Sequence, residues 1–532
     1  MLFWSIDETE GDVLDAIPNF DLLKKQDELS YARLVLLLDK LNTVSINTQL
    51  TVQELENKNF FPWLSFALGC VVKLAGMDLN SKSNSNSNLN SNLQKNSISL
   101  VMSLTQNLLN RDPDVLHAMF SKQITEGSLK GQSFAYFWMN NYYSLVVSTD
   151  DDLSTLETLD VMFHELLDVM GPRFGSLLVK NIEEGSDKGR NALLVLLRSA
   201  QLSAERMDNK LKTQLIAKLF DQCMQKAPIL MGTALSEKST AGFFLGKSCL
   251  YLLSGILLKA TLHADSLSVT IIQKAILQAL KSAPEQCTDA LYKCYPSGLK
   301  PGLSSFHLIL LSLVEAAYKD KDSVFVAQLM NLLTELTIHD GIREAMFSAL
   351  LETINEGEYK GLNGFVFLCR ALIAALAHHI DVSVMMDFIL DVIKGAPAAQ
   401  LTTAIFQSVP GHATPEYNYS PINQLISLAR DANQPIQQPN AQVIIDALAQ
   451  SQAQSYIRSL LPPDTQFFFV NIRKMRAESF VTEHFDSVPH EVAGASSSGD
   501  SSYGSSLRLF QPGLKDDTLR GDGAFTSNLN RF

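Results

Sequence analysis

The sequence has few cysteines, and none is placed to form a redox or metal-binding pair. It contains 6 cysteines in 532 residues, and none of them has the C-x-x-C spacing that zinc sites and thiol oxidoreductases use. Most lie in apolar, helix-like stretches, where a thiol behaves as a small hydrophobic side chain. A disulfide framework and a cysteine-based zinc site are therefore poor explanations of the fold.

Charged residues are also scarce, at 19% of the chain, against about a quarter in an average soluble protein. The 43 lysines and arginines are outnumbered by 56 aspartates and glutamates, which gives a net charge of -13. A protein with this charge repels polyanions. We therefore expect neither nucleic acid nor an anionic membrane surface to be its partner.

The chain has no hydrophobic run that is long enough to span a bilayer. Its most apolar windows, residues 60–72, 248–258 and 365–377, are shorter than the ~18 residues required or are interrupted by a charge such as Arg370. The segment Met1–Glu10 carries carboxylates where a secretory signal carries basic residues. We therefore expect a protein with no transmembrane segment that is made in the cytosol.

Two polar segments lack the apolar side chains that offset the entropy of folding. Residues 80–96 are rich in serine and asparagine, and residues 487–532 contain a run rich in serine and glycine. We predict a flexible linker for the first and a disordered tail for the second. These segments divide the chain into an N-terminal helical segment (1–79), a helical segment with an acidic helix (97–185) and a helical-repeat region (186–486).

Apolar residues recur at steps of three and four almost everywhere else, which is typical of amphipathic helices. Leu193, Leu194 and Leu197 form one such stripe, and prolines such as Pro113 and Pro284 stand where a helix is expected to begin. The sequence therefore predicts an all-α protein with roughly twenty short helices.

Three consecutive stretches, residues 302–340, 341–380 and 381–420, each have the pattern of a helix, a turn and a second helix. Each is about 40 residues long, the length of a helical hairpin that must stack on its neighbours to bury its apolar face. We find no proline, aspartate or arginine in register within them.

In repeat length and amphipathic pattern, residues 186–420 resemble the HEAT and armadillo class of helical repeats. This resemblance implies an α-solenoid-like stack of hairpins that presents one helix layer to a partner and carries no catalytic residue. An irregular helical bundle is the alternative.

Residues 241–248 satisfy a permissive form of the phosphate-binding loop, which ends in Gly246, Lys247 and Ser248. A loop of this kind follows a buried strand and turns its backbone N–H groups toward phosphates. The preceding residues 235–240 are polar and do not resemble a strand. We therefore interpret the segment as a helix start with a solvated lysine, and we predict no nucleotide or other cofactor.

Residues 150–171 are rich in carboxylates and contain no lysine or arginine. On a helix, Glu157, Asp160, His164 and Asp168 lie along one face. Glu157, Asp160 and Asp168 are candidate residues for binding a protein with a basic surface. Asp160, His164 and Asp168 are also candidate metal ligands, because His164–Asp168 differs from the H-E-x-x-H zinc motif only in its last residue. We prefer the docking surface.

The sequence thus predicts a non-enzymatic scaffold or adaptor that works by protein–protein recognition. Its candidate surfaces are the acidic helix and the inner helix layer of residues 300–420. The layout also suits a bacterial effector that reaches a host-cell cytoplasm without a Sec-type signal, and a eukaryotic adaptor with a disordered tail has the same layout. The alternative function is a metal-dependent enzyme with its site at a helical junction near His164.

Overall fold

The computed structural model describes residues 113–123, 131–147, 153–185, 187–205, 210–239, 246–298, 300–319, 323–338, 340–407, 420–430 and 437–461, together with Asn107 and Asn110. The predicted N-terminal segment (1–79), linker (80–96) and tail (487–532) lie outside these residues.

The described residues form nineteen α-helices and no strand, which confirms the all-α prediction. None of these helices combines the length and the apolarity needed to cross a bilayer. In chain order they are α1 (Pro113–Ser121), α2 (Phe134–Val147), α3 (Leu153–Met170), α4 (Pro172–Val179), α5 (Ala192–Glu205), α6 (Lys210–Lys226), α7 (Pro228–Ser236), α8 (Cys249–Leu262), α9 (Ser266–Ser282), α10 (Pro284–Tyr292), α11 (Ser305–Lys319), α12 (Ser323–Thr337), α13 (Asp340–Leu351), α14 (Gly364–Ala377), α15 (Ser383–Gly395), α16 (Ala398–Phe406), α17 (Pro421–Arg430), α18 (Gln437–Gln450) and α19 (Gln454–Leu460).

The helices recur as triplets along the chain. Counting from α2, each helix begins 54 to 60 residues after its equivalent in the preceding triplet. We call the three positions A (α2, α5, α8, α11, α14, α17), B (α3, α6, α9, α12, α15, α18) and C (α4, α7, α10, α13, α16, α19), and we call each triplet a unit. Helix α1 contacts α2, α3 and α4. Helix α4 makes the equivalent contacts with α5, α6 and α7, so α1 occupies the position of a C helix that precedes the first unit.

Contacts between the described helices follow the order of the units. Every A helix contacts the next A helix, and the B and C helices do the same with their own equivalents. All of the substantial contacts lie within one unit or between adjacent units. Each unit is therefore stabilised by its neighbours in the chain and by no distant part of the described structure.

The A helices form the centre of the apolar core. In α8 and α11, for example, nearly every residue is buried, and some of the polar residues bond within their own helix. The Ser312 hydroxyl donates to the carbonyl of Leu308 at 2.8 Å, one turn earlier, so its burial leaves no unpaired donor.

The B helices are amphipathic, and the C helices are short. In α15, buried residues such as Met385, Ile389 and Val392 recur at helical spacing, while Asp387 on the other face is exposed. The C helices α4, α7 and α10 begin with proline, which has no backbone N–H and fits the first turn of a helix.

The recurring unit is not the predicted hairpin of about 40 residues. Residues 302–340 hold an A and a B helix, residues 341–380 a C and an A helix, and residues 381–420 a B and a C helix. The three stretches of about 40 residues thus do not contain equivalent helices. Prolines do recur in register, at residues 113, 172, 228, 284 and 397, but at the longer interval.

The predicted boundary between segments 97–185 and 186–486 falls inside the array. Helices α2 and α5, on either side of residue 186, are among the most closely packed pairs of the described structure. The packing of the A helices therefore continues across this position.

Candidate functional site

The predicted acidic residues lie on α3, the B helix of the first unit. Glu157 and Asp168 are exposed, and the Asp168 carboxylate pairs with the Lys226 ammonium of α6 at 3.0 Å. Asp160 differs from both, because only 5% of it is exposed. The expectation of one exposed acidic face is therefore wrong for Asp160, whose position on α3 turns it toward α6.

Asp160 and His164 are brought together as their spacing predicts. The Asp160 carboxylate lies 3.0 Å from His164 Nε2, and His164 Nδ1 contacts the Gln222 side chain of α6. Burial raises the pKa of Asp160, and the neighbouring imidazole offsets part of this shift. Both nitrogens of the His164 ring are thus engaged, one within α3 and one in a contact that joins two B helices.

In the part of the chain that the structure describes, Asp160 and His164 have no third metal ligand beside them. There, no group of three histidine, cysteine, aspartate or glutamate side chains is placed to hold a metal ion. Asp168, the third predicted ligand, is engaged with Lys226 instead.

The first five connections between a helix at the C position, α1 included, and the next A helix share a pattern that the sequence analysis missed. We call these twelve-residue segments connectors. Their sixth and tenth residues are glycine, and their last is serine or asparagine. They are residues 122–133, 180–191, 237–248, 293–304 and 352–363.

Hydrogen bonds close the connectors, as 352–363 illustrates. The Ile354 N–H donates to the carbonyl of Leu362 at 2.7 Å, and the Gly361 N–H donates to the carbonyl of Ile354 at 2.8 Å. The side chain of Asn363 then accepts the N–H of Val366 at 3.0 Å, which caps α14. A connector therefore ends one unit and starts the A helix of the next.

Successive connectors pack directly on one another. Gly302 has φ 85°, and a Cβ at this position would collide with the carbonyl of Glu356 in the next connector. Gly357, with φ 78°, has the same relation to the carbonyl of Pro301. Glycine is required here both for the positive φ and for the close approach of the two backbones.

The segment that resembled a phosphate-binding loop is the third connector. It follows helix α7 and not a strand, and Gly246 (φ 77°) is its tenth residue. The Ser239 N–H donates to the carbonyl of Lys247, and the Gly246 N–H to the carbonyl of Ser239, both at 2.8 Å. The expectation of a solvated Lys247 is wrong, because this side chain is buried, and its burial and the nearby Arg198 lower its pKa.

A cavity of about 260 Å³ lies between the connectors 293–304 and 352–363. Its wall includes aromatic rings, a thiol and two carboxylates; these residues are Tyr292, Cys294, Tyr295, His307, Glu352 and Glu356. The hydroxyl of Tyr292 is buried and has no hydrogen-bond partner among the described residues, whereas the Tyr295 hydroxyl lies near Ser248 and the His307 ring lies near the carbonyl of Ala349. The cavity depends on the packing of two units, so its residues were not predicted as a site.

The inner helix layer of residues 300–420, a predicted surface, consists of the A helices α11 and α14. Their side chains are almost all buried, with exceptions such as Glu315 and Arg370, which are half-buried. Exposed apolar side chains lie on the B and C helices instead.

Models of known protein families, curated proteins and solved structures include none that matches this chain.

Proposed function

We propose that the protein is a non-enzymatic scaffold whose stacked units form an α-solenoid and bind a protein partner along their outer helices. The observation that carries this proposal is the restriction of helix contacts to adjacent units. Such an array has a long surface relative to its core, and equivalent positions recur along it at regular steps. Recurring side chains can therefore meet an extended partner at several points.

The B helices supply such a recurring feature. The second residue of the B helix is apolar in four consecutive units; these residues are Leu211, Leu267, Val324 and Val384. Leu211 is 59% exposed, Val324 56% and Val384 43%, while Leu267 is partly buried. Packed helices are about 8 to 10 Å apart, so this apolar row is roughly 25 to 30 Å long. A row of this kind favours a protein partner.

Charge supports the same proposal. The chain has a net charge of -13, and Glu157 is exposed on α3 at the N-terminal end of the described array. We propose that this surface favours a partner with basic residues, since complementary charge accelerates association and excludes acidic competitors. The predicted docking role of Glu157 and Asp168 is kept in this proposal, and that of Asp160 is not.

A metal-dependent enzyme near His164 is the second candidate. It is favoured by the approach of Asp160 to His164, and it requires a further ligand in place of Asp168. It predicts a stoichiometric metal ion in the purified protein, whereas the scaffold proposal predicts a stoichiometric protein partner. Elemental analysis and affinity capture of the same preparation distinguish the two.

The apolar row gives the scaffold proposal a direct test. The triple variant Leu211→Ser, Val324→Ser and Val384→Ser is expected to lose most of a partner that the full chain captures, because each change removes exposed apolar area from one interface. We expect binding to weaken at least about tenfold, which corresponds to a loss of about 1.4 kcal/mol of binding free energy. Quantitative mass spectrometry of captured partners measures it.

The matched control replaces three exposed apolar residues outside the row by serine. Ile229 is 72% exposed, Ile338 63% and Val443 46%, and they lie on or beside α7, α12 and α18. This variant is expected to retain the partner at the level of the unchanged protein. Equal loss from both variants, or from neither, contradicts the proposed surface.

A further inference from the structure

The cavity lies beside His307, the third residue of the A helix α11. This position varies among the units: it is Tyr136 in α2, Leu194 in α5, Tyr251 in α8 and Val366 in α14. The Tyr251 hydroxyl lies 3.3 Å from the backbone nitrogen and 3.4 Å from the carbonyl oxygen of Lys300 in the following connector. His307 is shorter and has no hydroxyl to reach the next connector, and a cavity lies beside it.

The wall of this cavity combines aromatic rings with carboxylates. Tyr292 and Tyr295 contribute aromatic rings to the wall, and the exposed carboxylates of Glu352 and Glu356 stand at the opening. No lysine or arginine is among the described residues that line it. Aromatic faces and carboxylates together attract a cation and repel an anion.

His307 adds no positive charge to the cavity at neutral pH. It is 2% exposed, and burial lowers its pKa to about 4, a shift that the nearby carbonyl of Ala349 offsets only in part. Its Nδ1 atom lies 2.9 Å from the Ser304 hydroxyl, so the ring is held in place. The nearby Lys300 is engaged by the carboxylate of Glu358 at 2.8 Å.

The size of the cavity restricts what it can hold. Pockets that enclose a drug-sized molecule measure about 300 to 1,000 Å³, and this one measures about 260 Å³. A single side chain of a partner fits this limit better than a free cofactor does. Of the two cationic side chains, arginine has the planar guanidinium that stacks on aromatic rings and donates several hydrogen bonds at once.

We propose that the cavity lined by Tyr292, Tyr295 and His307 receives an arginine side chain of the protein partner, with Glu352 and Glu356 pairing its charge. This inference rests on the proposed scaffold function and names the chemistry that the partner presents at one point of the array. The carboxylates accept the N–H groups of the guanidinium, and the aromatic rings contact its faces.

Cys294 provides a reporter for occupation of the cavity. It lines the cavity and is exposed, whereas the other cysteines among the described residues, Cys223, Cys249, Cys287 and Cys369, are buried. The probe is the peptide acetyl-Gly-Ser-Arg-Ser-Gly-amide, and its control carries citrulline, the neutral isostere of arginine, at the same place. The measured quantity is the rate at which iodoacetamide alkylates Cys294 in the full chain, followed by mass spectrometry.

The arginine peptide is expected to slow alkylation of Cys294 in a saturable manner, and the citrulline peptide is not. The double variant Glu352→Gln and Glu356→Gln is expected to weaken this protection about tenfold, since it removes both pairing charges. Glu344→Gln is the matched control, because Glu344 is an exposed carboxylate of α13 that does not line the cavity. It is expected to leave the protection unchanged.

Two results overturn the inference: equal protection by both peptides, or no protection of the unchanged chain by the arginine peptide. Protection that the Glu352→Gln and Glu356→Gln variant retains in full contradicts the roles of these carboxylates. The experiment contains no partner protein, so its failure is distinguishable from failure of the scaffold proposal, which is tested by capture of a partner on the apolar row.

Discussion

At the scale of single residues, buried ionisable groups distinguish one unit from another. Asp160 in the first unit is buried beside His164, and its Oδ1 atom has no hydrogen-bond partner among the described residues. His307 in the fourth unit is buried among aromatic rings, with Phe367 6.3 Å away between ring centroids. Such groups are costly to bury in charged form, so they link the stability of their units to pH.

His307 gives this link a definite sign. Its pKa falls from 6.5 to about 4 in the folded chain, so the unfolded chain binds a proton at a pH where the folded chain does not. Its contribution to stability is fully present above pH 6.5 and is lost as the pH falls toward 4. In His307→Gln, the slope of unfolding free energy against pH should decrease in this window by up to about 1.4 kcal/mol per pH unit.

Urea unfolding of the unchanged chain and of His307→Gln across this pH range measures the effect. His378→Gln is the control, since His378 is exposed at the end of α14, and its profile should follow that of the unchanged chain. Parallel profiles for His307→Gln and the unchanged chain would show that the imidazole is not held neutral by the fold.

At the scale of elements, the connectors set how closely units pack. A side chain at Gly302 meets two costs, a positive φ of 85° and the carbonyl of Glu356 in the next connector. The equivalent Gly246 has φ 77°, but no described atom lies within 4 Å of a Cβ built there. Alanine substitutions at these two glycines therefore distinguish the cost of backbone strain from the cost of disturbing the packing between connectors.

Gly246→Ala is expected to cost about 1 to 2 kcal/mol of unfolding free energy, the cost of a left-handed conformation for a residue with a Cβ. Gly302→Ala is expected to cost at least about 1 kcal/mol more, because the two connector backbones must also move apart. Denaturant midpoints of both variants measure the difference. Equal costs would show that the connectors do not depend on each other's close approach.

The helices of this fold could be predicted from the sequence, whereas the length of the unit could not be predicted from their apolar pattern. Two apolar residues followed by a carboxylate occur at residues 313–315 in an A helix, 389–391 in a B helix and 350–352 at the end of a C helix, so this pattern does not identify equivalent positions. The glycines of the connectors and the prolines that begin C helices do identify them, because each has a backbone reason for its place. The tenth-position glycines of successive connectors are 56 to 59 residues apart, an interval that can be read directly from the sequence.

The candidate sites were predictable only where they depend on one helix. Asp160 and His164 are four residues apart on α3, so helical geometry brings them together. The contact of His164 with Gln222 depends on the packing of α3 against α6, and so does the burial of Asp160. The cavity beside His307 is lined by residues of two adjacent units, so it depends on how those units pack and not on a motif within one helix.

At the scale of the whole molecule, contacts between adjacent units make the array divisible at equivalent positions. Residues 305–363 contain α11, α12, α13 and the following connector, which is one full unit. Their removal joins the connector 293–304 to α14, so that an A helix again follows a connector and packs against α8. Residues 302–340 contain an A and a B helix, and their removal leaves two C helices in sequence.

The variant that lacks residues 305–363 is therefore expected to fold, with helical content per residue close to that of the full chain and a melting temperature within roughly 10 °C of it. The variant that lacks residues 302–340 is expected to lose helical content and cooperative unfolding, because the surfaces at its junction belong to different helix positions. Circular dichroism during thermal unfolding measures both. The opposite ranking would support a unit of about 40 residues, since only then would the shorter deletion leave equivalent surfaces in contact.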